Sequence, residues 1–353
     1  MKRFLLTILT FIVVPLILLA SIYLWTDPFR CIHDFDINDV DVTNREYLST
    51  ELFLRNEPIY HYNSFIFSSS RGGGMNTYQW KTYLPEDAQP FLFQSWSETI
   101  TGIELKLNYL HENHVPIHNA LILLDIPASF NNDQLPHKAL SMKHYIFTGH
   151  SKFQYNMIQY LNFIQKPSLW IKSINKQMHG IHISCGTDTI TNDWDANNRL
   201  HYMELPDMDS LKKCSEMTRH TFLITLEHSP KVVEESKSLI NSQYGKQLQH
   251  IKSILEENHT DYHIIITPAP CYTSPSINPN DLAILQSIFG IERVHDYSGK
   301  NEFTEDYNNF SDPGHFGLRV GYLIIEDIYK PKKPIDQTQK ESGGIGRPVA
   351  DRL

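Results

Sequence analysis

Short runs of consecutive apolar residues, separated by longer segments with helical spacing, constrain the fold of this chain more than any other feature. Residues 65–67, 120–124 and 262–267 are runs of this kind. A strand that is covered on both faces, as in a parallel sheet, shows continuous apolarity instead of alternation. Apolar residues recur at helical spacing over residues 97–113, 232–257, 281–289 and 318–329. The alternation predicts an α/β fold with a three-layer open parallel sheet and helices on both faces.

Two further strands are predicted at residues 91–94 and at residues 291–295, the second as the last strand of the sheet. If the crossover connections are right-handed, the carboxyl ends of the parallel strands lie along one edge, where loops build a site. Ser70, Asp125 and Pro268 each follow such a strand end. We therefore expect the functional site at this edge.

The amino-terminal segment is predicted to be a transmembrane signal anchor within residues 1–30. Lys2 and Arg3 precede 22 residues without a charge, 4–25. Such a helix would be ~33 Å long, enough to cross a bilayer. The basic pair favours a cytoplasmic amino terminus and an extracytoplasmic body. A cleaved signal peptide and a buried core helix are the alternatives, but the bulky residues that follow Ser21 do not favour cleavage.

Composition excludes several classes of partner. The net charge is −9 and no basic stripe is present, so nucleic acid is not expected. The four cysteines form no Cys-x-x-Cys pair and the histidines lack carboxylates at ligand spacing, so no metal site is expected. The body is expected to span residues 31–330, with an insertion at about 130–226, and the polar tail 331–353 is expected to be disordered.

Residues 68–74, Ser-Ser-Ser-Arg-Gly-Gly-Gly, follow the first strand directly. A nucleophilic serine needs a tight turn at the end of a strand, small neighbours and a free backbone N–H group. Ser70 meets these needs. An ordinary turn with a helix cap gives the same pattern, and so does a phosphate-binding loop, although the lysine of a P-loop is missing.

Asp312 and His315 stand three residues apart near the other end of the chain. A general-base histidine needs an acceptor that fixes its tautomer, and Asp312 could be that acceptor. In the alternative, Asp312 caps the next helix and Pro313 occupies the first helical position.

With both segments considered together, the chain resembles the SGNH (GDSL-type) hydrolase superfamily over about residues 60–330. That family has a serine block after its first strand and an Asp-x-x-His block before its last helix. Residues 68–71, Ser-Ser-Ser-Arg, are similar to the Gly-Ser-Ser-Arg block of membrane-anchored SGNH-like envelope proteins. The resemblance implies a flavodoxin-like fold and a triad of Ser70, His315 and Asp312. It also implies oxyanion donors at the N–H groups of Ser70 and Ser97, and no cofactor.

The chain departs from the family pattern at three places. Ser68 and Ser97 occupy positions where the family has glycine, and Asp125 lies where the family has an asparagine donor. Asn76 and Asn192 are candidate replacements for that donor. The function expected from the resemblance is a membrane-tethered esterase or O-acyltransferase that acts on glycan esters of the envelope. The alternative is a catalytically silent SGNH-like protein that binds a glycan or scaffolds an envelope complex.

Overall fold

The computed structural model describes residues 2–33, 44–131, 142–179, 236–270, 276–306, 309–312 and 314–330. A five-stranded parallel sheet with the order β2-β1-β3-β4-β5 forms its centre, and a small antiparallel pair, β6 and β7, lies after it in the chain. The strands are β1 Ser64–Ser68, β2 Pro90–Gln94, β3 Asn119–Leu124, β4 Asp261–Ile266, β5 Val294–Asp296, β6 Phe310–Asp312 and β7 His315–Phe316.

The predicted α/β class is confirmed. The central strands show why continuous apolar runs predicted them. Every residue of β1, β2 and β3 is buried. Phe65 pairs in register with Phe91 on one side and with Ala120 on the other. Because both faces and both edges of β1 are covered, a continuous apolar run is the pattern that this strand requires.

The helices of the described residues are α1 Lys2–Thr26, α2 Arg45–Tyr60, α3 Thr77–Lys81, α4 Ile100–Glu112, α5 Tyr145–Thr148, α6 Lys152–Ile164, α7 Pro167–His179, α8 Ser242–Glu257, α9 Pro279–Phe289, α10 Glu302–Glu305 and α11 Leu318–Tyr329. The helix α8 packs against α4 and α9, whereas α11 packs against α3. These two separate sets of contacts are compatible with a three-layer arrangement.

Two predicted boundaries are wrong. The helix predicted over residues 232–257 begins only at Ser242, because the side chain of Asn241 caps it by accepting from the N–H groups of Gln243 and Tyr244. The strand predicted at residues 291–295 is preceded by a 3₁₀ turn, Ile291–Arg293, so β5 begins only at Val294. It is the last strand of the parallel sheet, as predicted, and β6 and β7 form a separate pair.

The strand order 2-1-3-4-5 reverses direction at β1. The chain passes from β1 to β2 on one side and then returns across β1 to β3 on the other. In doubly wound sheets of this order, ligands bind outside the carboxyl ends of the strands that flank the reversal. Those ends are Ser68 in β1 and Leu124 in β3, next to the serine turn and Asp125.

The helix α1 is 25 residues long and apolar enough to cross a membrane. Its carboxyl end enters a second hydrophobic cluster, separate from the main core, in which Tyr23 is buried. We call this group the Tyr23 cluster; its buried members are Tyr23, Phe29, Cys31, Tyr47, Tyr155 and Phe163. The helices α6 and α7, which supply the last two members and flanking side chains, both contact α1.

Several predictions fall on parts of the chain outside the described residues. They are residues 132–141 and 180–226 of the expected insertion and the tail 331–353. Of the four cysteines, Cys31 lies in the described part, where it is buried and free. The other three, Cys185, Cys214 and Cys271, lie outside it.

Candidate active site

The three adjacent serines after β1 have different surroundings. The hydroxyl of Ser68 is buried and donates to the carbonyl of Ser69 at 2.9 Å. Ser69 is buried as well; its hydroxyl donates to the Asp125 carboxylate and accepts from the N–H of Arg71. Ser70 begins a 3₁₀ turn, Ser70–Gly74, and is half-buried. Among these three, the Ser70 hydroxyl is the one that faces a histidine.

His315 reaches Ser70 from the far end of the chain. Its Nε2 atom lies 2.8 Å from the Ser70 Oγ atom, although the two residues are 245 positions apart in the sequence. His315 begins β7, and the antiparallel pairing of β6 with β7 places Asp312 opposite His315 in the register. The side chain of Asp312 lies outside the described part of the molecule.

Asp312 does not cap a helix, so the alternative interpretation of this segment is wrong. The residue ends strand β6, and α11 begins only at Leu318, with Gly317 at the capping position. His315 therefore lies in a short hairpin that connects β5 and α10 to α11. A residue in such a hairpin is positioned by strand pairing and by the packing of the following helix, not by a helix start.

Two glycines of the serine turn hold the turn and the histidine hairpin together. A Cβ atom added to Gly74 would lie 2.4 Å from the Phe316 ring, next to His315. A Cβ atom added to Gly72 would collide with the Ser68 side chain. The glycines are therefore needed for close approach, and the contact between Gly74 and Phe316 fixes the hairpin against the turn that carries Ser70.

The Asp125 carboxylate is occupied by donors beneath the serine turn. It is buried, and it accepts hydrogen bonds from the hydroxyls of Ser69 and of Thr267, the latter at 2.6 Å. The guanidinium of Arg71 lies 3.7 Å from the carboxylate and donates to Thr267 at 2.9 Å. Because these groups face it, the carboxylate ties the end of β3 to the serine turn and to the residue after β4.

The resemblance implies that the backbone N–H groups of Ser70 and Ser97 serve as oxyanion donors. In the described ranges, neither the N–H of Ser70 nor that of Ser97 has a hydrogen-bond acceptor. Ser97 adopts a φ of 51°, in the left-handed region that favours glycine. The residue type expected by resemblance at this position is glycine, so the backbone conformation is that of a glycine although a serine is present.

Buried charges anchor the turn that contains Ser97. The carboxylate of Glu98 accepts from the ammonium groups of Lys106 and Lys143, and Lys106 also donates to Glu46 at 2.7 Å. Glu46, Glu98 and Lys106 are completely buried. Burial opposes ionisation, but the two ammonium groups prevail and lower the pKa of Glu98 to about 2. An ionised Glu98 thus holds the turn to α4 and α2.

Neither candidate asparagine is placed as an oxyanion donor by the described residues. The side-chain oxygen of Asn76 caps α3 by accepting from the N–H groups of Tyr78 and Gln79. Asn192 lies outside the described part. Among the described residues, no group of three or more His, Cys, Asp and Glu side chains could hold a metal ion.

Sequence reasoning missed the roles of Arg71 and Thr267. Both follow strand ends, which is the one signal that could have indicated them. Their hydrogen bond joins residues 196 positions apart, so no local pattern predicts the pair. Comparisons of the chain with protein-family models and with curated protein sequences find no match.

Proposed function

We propose that this protein is a membrane-tethered serine esterase or O-acyltransferase that acts on ester groups of an envelope or extracellular glycan. The single observation that carries the proposal is the 2.8 Å contact between Ser70 Oγ and His315 Nε2. That distance is within hydrogen-bond reach of a general base. The contact lies at the carboxyl edge of a doubly wound sheet, where such folds bind ligands.

The chemistry proceeds by acyl transfer. His315 Nε2 takes the proton of the Ser70 hydroxyl while Ser70 Oγ attacks the ester carbonyl, and the imidazolium then protonates the leaving alcohol. In the second half, water or an acceptor hydroxyl gives its proton to His315 and attacks the acyl-serine carbonyl. The bond to Ser70 Oγ then breaks, the imidazolium returns the proton to Ser70, and the acyl group leaves as the free acid or as a new ester. Asp312, paired with His315 in the β6–β7 register, would orient the imidazole.

The oxyanion would be held by the N–H groups of Ser70 and Ser97. Neither group has an acceptor in the described ranges, and donors of this kind are each worth about 10²–10³ in rate. Gln94, at the end of β2, donates from its side chain to the Ser70 carbonyl at 3.0 Å. This bond couples the serine turn to the loop that carries Ser97.

A chain of contacts connects the site to the helix α1. Asn44, which caps α2, donates to the Tyr155 hydroxyl of the Tyr23 cluster at 2.8 Å. One turn later in α2, Ser49 donates to the carbonyl of Gln94 at 3.1 Å, and Gln94 contacts Ser70. We infer that α1 spans the membrane with a cytoplasmic amino terminus and an extracytoplasmic body. The site would then lie on the side of the body that is linked to the anchor, which suits a substrate at the membrane surface.

The second candidate function is a catalytically silent protein that binds a glycan or scaffolds a complex. The position of Asp125 favours it, because a carboxylate stands where the family has an asparagine donor. Without that third donor, turnover would be slower by about 10²–10³.

Labelling with a fluorophosphonate probe separates the two functions. The full chain in detergent micelles would be labelled and mapped by peptide mass, beside Ser70→Ala, His315→Ala and the matched serine control Ser68→Ala. We expect labelling at Ser70 that is lost in Ser70→Ala, falls by at least ~10²-fold in His315→Ala, and persists in Ser68→Ala. Equal labelling of His315→Ala and the parent, or no labelling of a parent that melts cooperatively, would contradict an activated serine.

A further inference from the structure

The helix α6 is apolar on two opposite faces. Tyr155, Gln159 and Phe163 repeat every four residues and are buried in or beside the Tyr23 cluster. A second stripe with the same spacing, offset by two residues, is exposed: Phe153, Met157 and Leu161. Two residues correspond to about 200° around a helix, so this stripe points away from the body. Phe153 is 73% exposed. An apolar face of this kind requires cover from outside the described fold.

The helix α7 continues the same surface. Ile171 and Met178, two turns apart, are 62% and 63% exposed, and Ile174 lies between them on the same face. The helices α6 and α7 pack against each other, and both pack against α1. We call the exposed residues Phe153, Met157, Leu161, Ile171 and Met178 the outer stripe.

The charge of this region differs from that of the rest of the chain. Residues 142–179 contain five lysines and no aspartate or glutamate, whereas the whole chain has a net charge of −9. Lys152, Lys166 and Lys172 are exposed. Helices that lie in the interface of an anionic membrane typically carry lysines beside an apolar face.

The contact with α1 fixes a depth for this surface. The hydroxyl of Tyr160 in α6 donates to the carbonyl of Leu16 in α1 at 2.8 Å. Leu16 precedes Trp25, the last residue of the apolar run, by nine positions, which is ~14 Å along the helix axis. If the run 4–25 fills the ~30 Å hydrocarbon layer, Tyr160 lies well inside the leaflet that adjoins the body.

We propose that α6 and α7 form a second membrane-contacting element, whose outer stripe is buried among the acyl chains of the leaflet that adjoins the body. The bilayer that holds α1 matches this surface in depth, in apolar character and in its preference for positive charge. The inference depends on the insertion of α1 but not on the chemistry at Ser70, so the labelling experiment above can fail without affecting it.

Depth-dependent quenching tests the proposal in the full chain. The protein, with its four cysteines replaced by alanine, would be reconstituted into vesicles of phosphatidylcholine and phosphatidylglycerol. A single nitrobenzoxadiazole label would be placed by Phe153→Cys, Met157→Cys, Ile171→Cys or Met178→Cys. The matched controls are Ile59→Cys and Ile291→Cys, which replace exposed apolar residues elsewhere on the body. Phe11→Cys in α1 reports insertion. Cooperative melting near the parent temperature would verify that each variant folds.

We expect doxyl-labelled lipids to quench the outer-stripe labels at least about twofold more than the two body controls, with blue-shifted emission. Quenching at residue 11 with outer-stripe labels that behave like the body controls would overturn the proposal. So would blue-shifted outer-stripe labels without quenching, because protein and not lipid would then cover the surface. An unquenched label at residue 11 would overturn the insertion of α1 and the proposal with it.

Charge provides an independent readout. The double variant Lys166→Glu/Lys172→Glu should reduce quenching at residue 153 by about twofold or more in vesicles with anionic lipid, and less in vesicles without it. The matched double variant Lys237→Glu/Lys246→Glu, on exposed lysines elsewhere, should leave quenching unchanged. Equal effects of the two double variants would contradict a specific contact between this surface and anionic lipid.

Discussion

Gly321 of α11 lies directly against the backbone of Gly74 at the end of the serine turn: a Cβ atom added to Gly321 would stand 1.8 Å from the Gly74 carbonyl oxygen. Gly74 in turn packs against Phe316, the residue after His315. Because neither glycine leaves room for a side chain, α11 presses the histidine hairpin onto the turn that carries Ser70. This close packing, and not a direct link in sequence, sets the distance between Ser70 and His315.

The variant Gly321→Ala should therefore separate the proposed catalytic pair. The added methyl meets backbone, which cannot rotate away, so we expect a loss of about 1–3 kcal/mol in the free energy of unfolding, together with slower fluorophosphonate labelling. The control Gly73→Ala places its methyl at an ordinary distance from the Gln94 side chain. Urea unfolding and labelling rates would be measured for both variants. Similar behaviour of the two would show that the contact does not position His315.

The Asp125 network should depend on the hydroxyl of Thr267 and not on its methyl group. Thr267→Val leaves one side of a buried carboxylate without its donor, which costs about 1–3 kcal/mol, whereas Thr267→Ser keeps the hydroxyl. Urea unfolding would compare the two variants. We also expect slower labelling of Ser70 in Thr267→Val, because Asp125 holds Ser69, the residue directly before Ser70. Equal stability of the two variants would mean that the bond from Thr267 to Asp125 contributes little.

Glu98 should dominate acid unfolding of the body. Its pKa is lowered from the usual 4.5 to about 2 by Lys106 and Lys143, against the opposing effect of burial. As the pH falls, Glu98 is therefore protonated in the unfolded chain at a higher pH than in the folded protein. The stabilisation is fully present above pH 4.5 and is lost as the pH falls toward about 2.

The variant Glu98→Gln tests this contribution. It should lose about 3–5 kcal/mol at pH 7, because two buried ammonium groups lose their shared partner, and should show a flatter dependence of unfolding free energy on pH between 5 and 2. Glu256→Gln, which changes an exposed pair with Lys252, is the matched control. Parallel pH profiles of Glu98→Gln and the parent would contradict the assignment.

A pair of histidines should add a second pH dependence at the other end of the sheet. Nδ1 of His263 in β4 lies 2.9 Å from Nε2 of His295 in β5. Burial lowers the pKa of His263 to about 4, helped by His295 and Arg293 and opposed by Asp261. The folded state favours the neutral ring, so stability is lost as the pH falls from about 6.5 to about 4.

Between pH 7.5 and 5 this histidine should cost about 2 kcal/mol in the free energy of unfolding. His263→Gln should remove most of that loss, whereas His250→Gln, at a half-exposed histidine paired with Glu104, should not. Urea unfolding at the two pH values is the measurement. An unchanged loss in His263→Gln would place the titration elsewhere.

The strands of the sheet and the helices beside it were predictable because the sequence patterns that indicate them are local. The continuous run in β3 and the helical spacing in α4 each reflect the environment of one segment. Helix boundaries that depend on a single side chain were harder to predict. With Asn241 as its cap, α8 begins ten residues after the predicted start at residue 232. The β6–β7 pair escaped prediction since its strands are three and two residues long, too short for a periodic pattern.

The sequence by itself determined the parallel α/β sheet, an apolar helix long enough to cross a membrane, and a serine turn at the carboxyl edge. Tertiary structure decided which serine faces a histidine, that the Asp125 carboxylate is turned to Ser69 and Thr267, and that α6 has a second, uncovered apolar face. The pattern of buried residues in a helix or strand depends on residues that are close in the sequence, so it can be predicted from the sequence. The direction of a side chain in a turn is set by contacts such as that between Ser70 and His315, 245 positions apart, and only the folded chain brings those residues together.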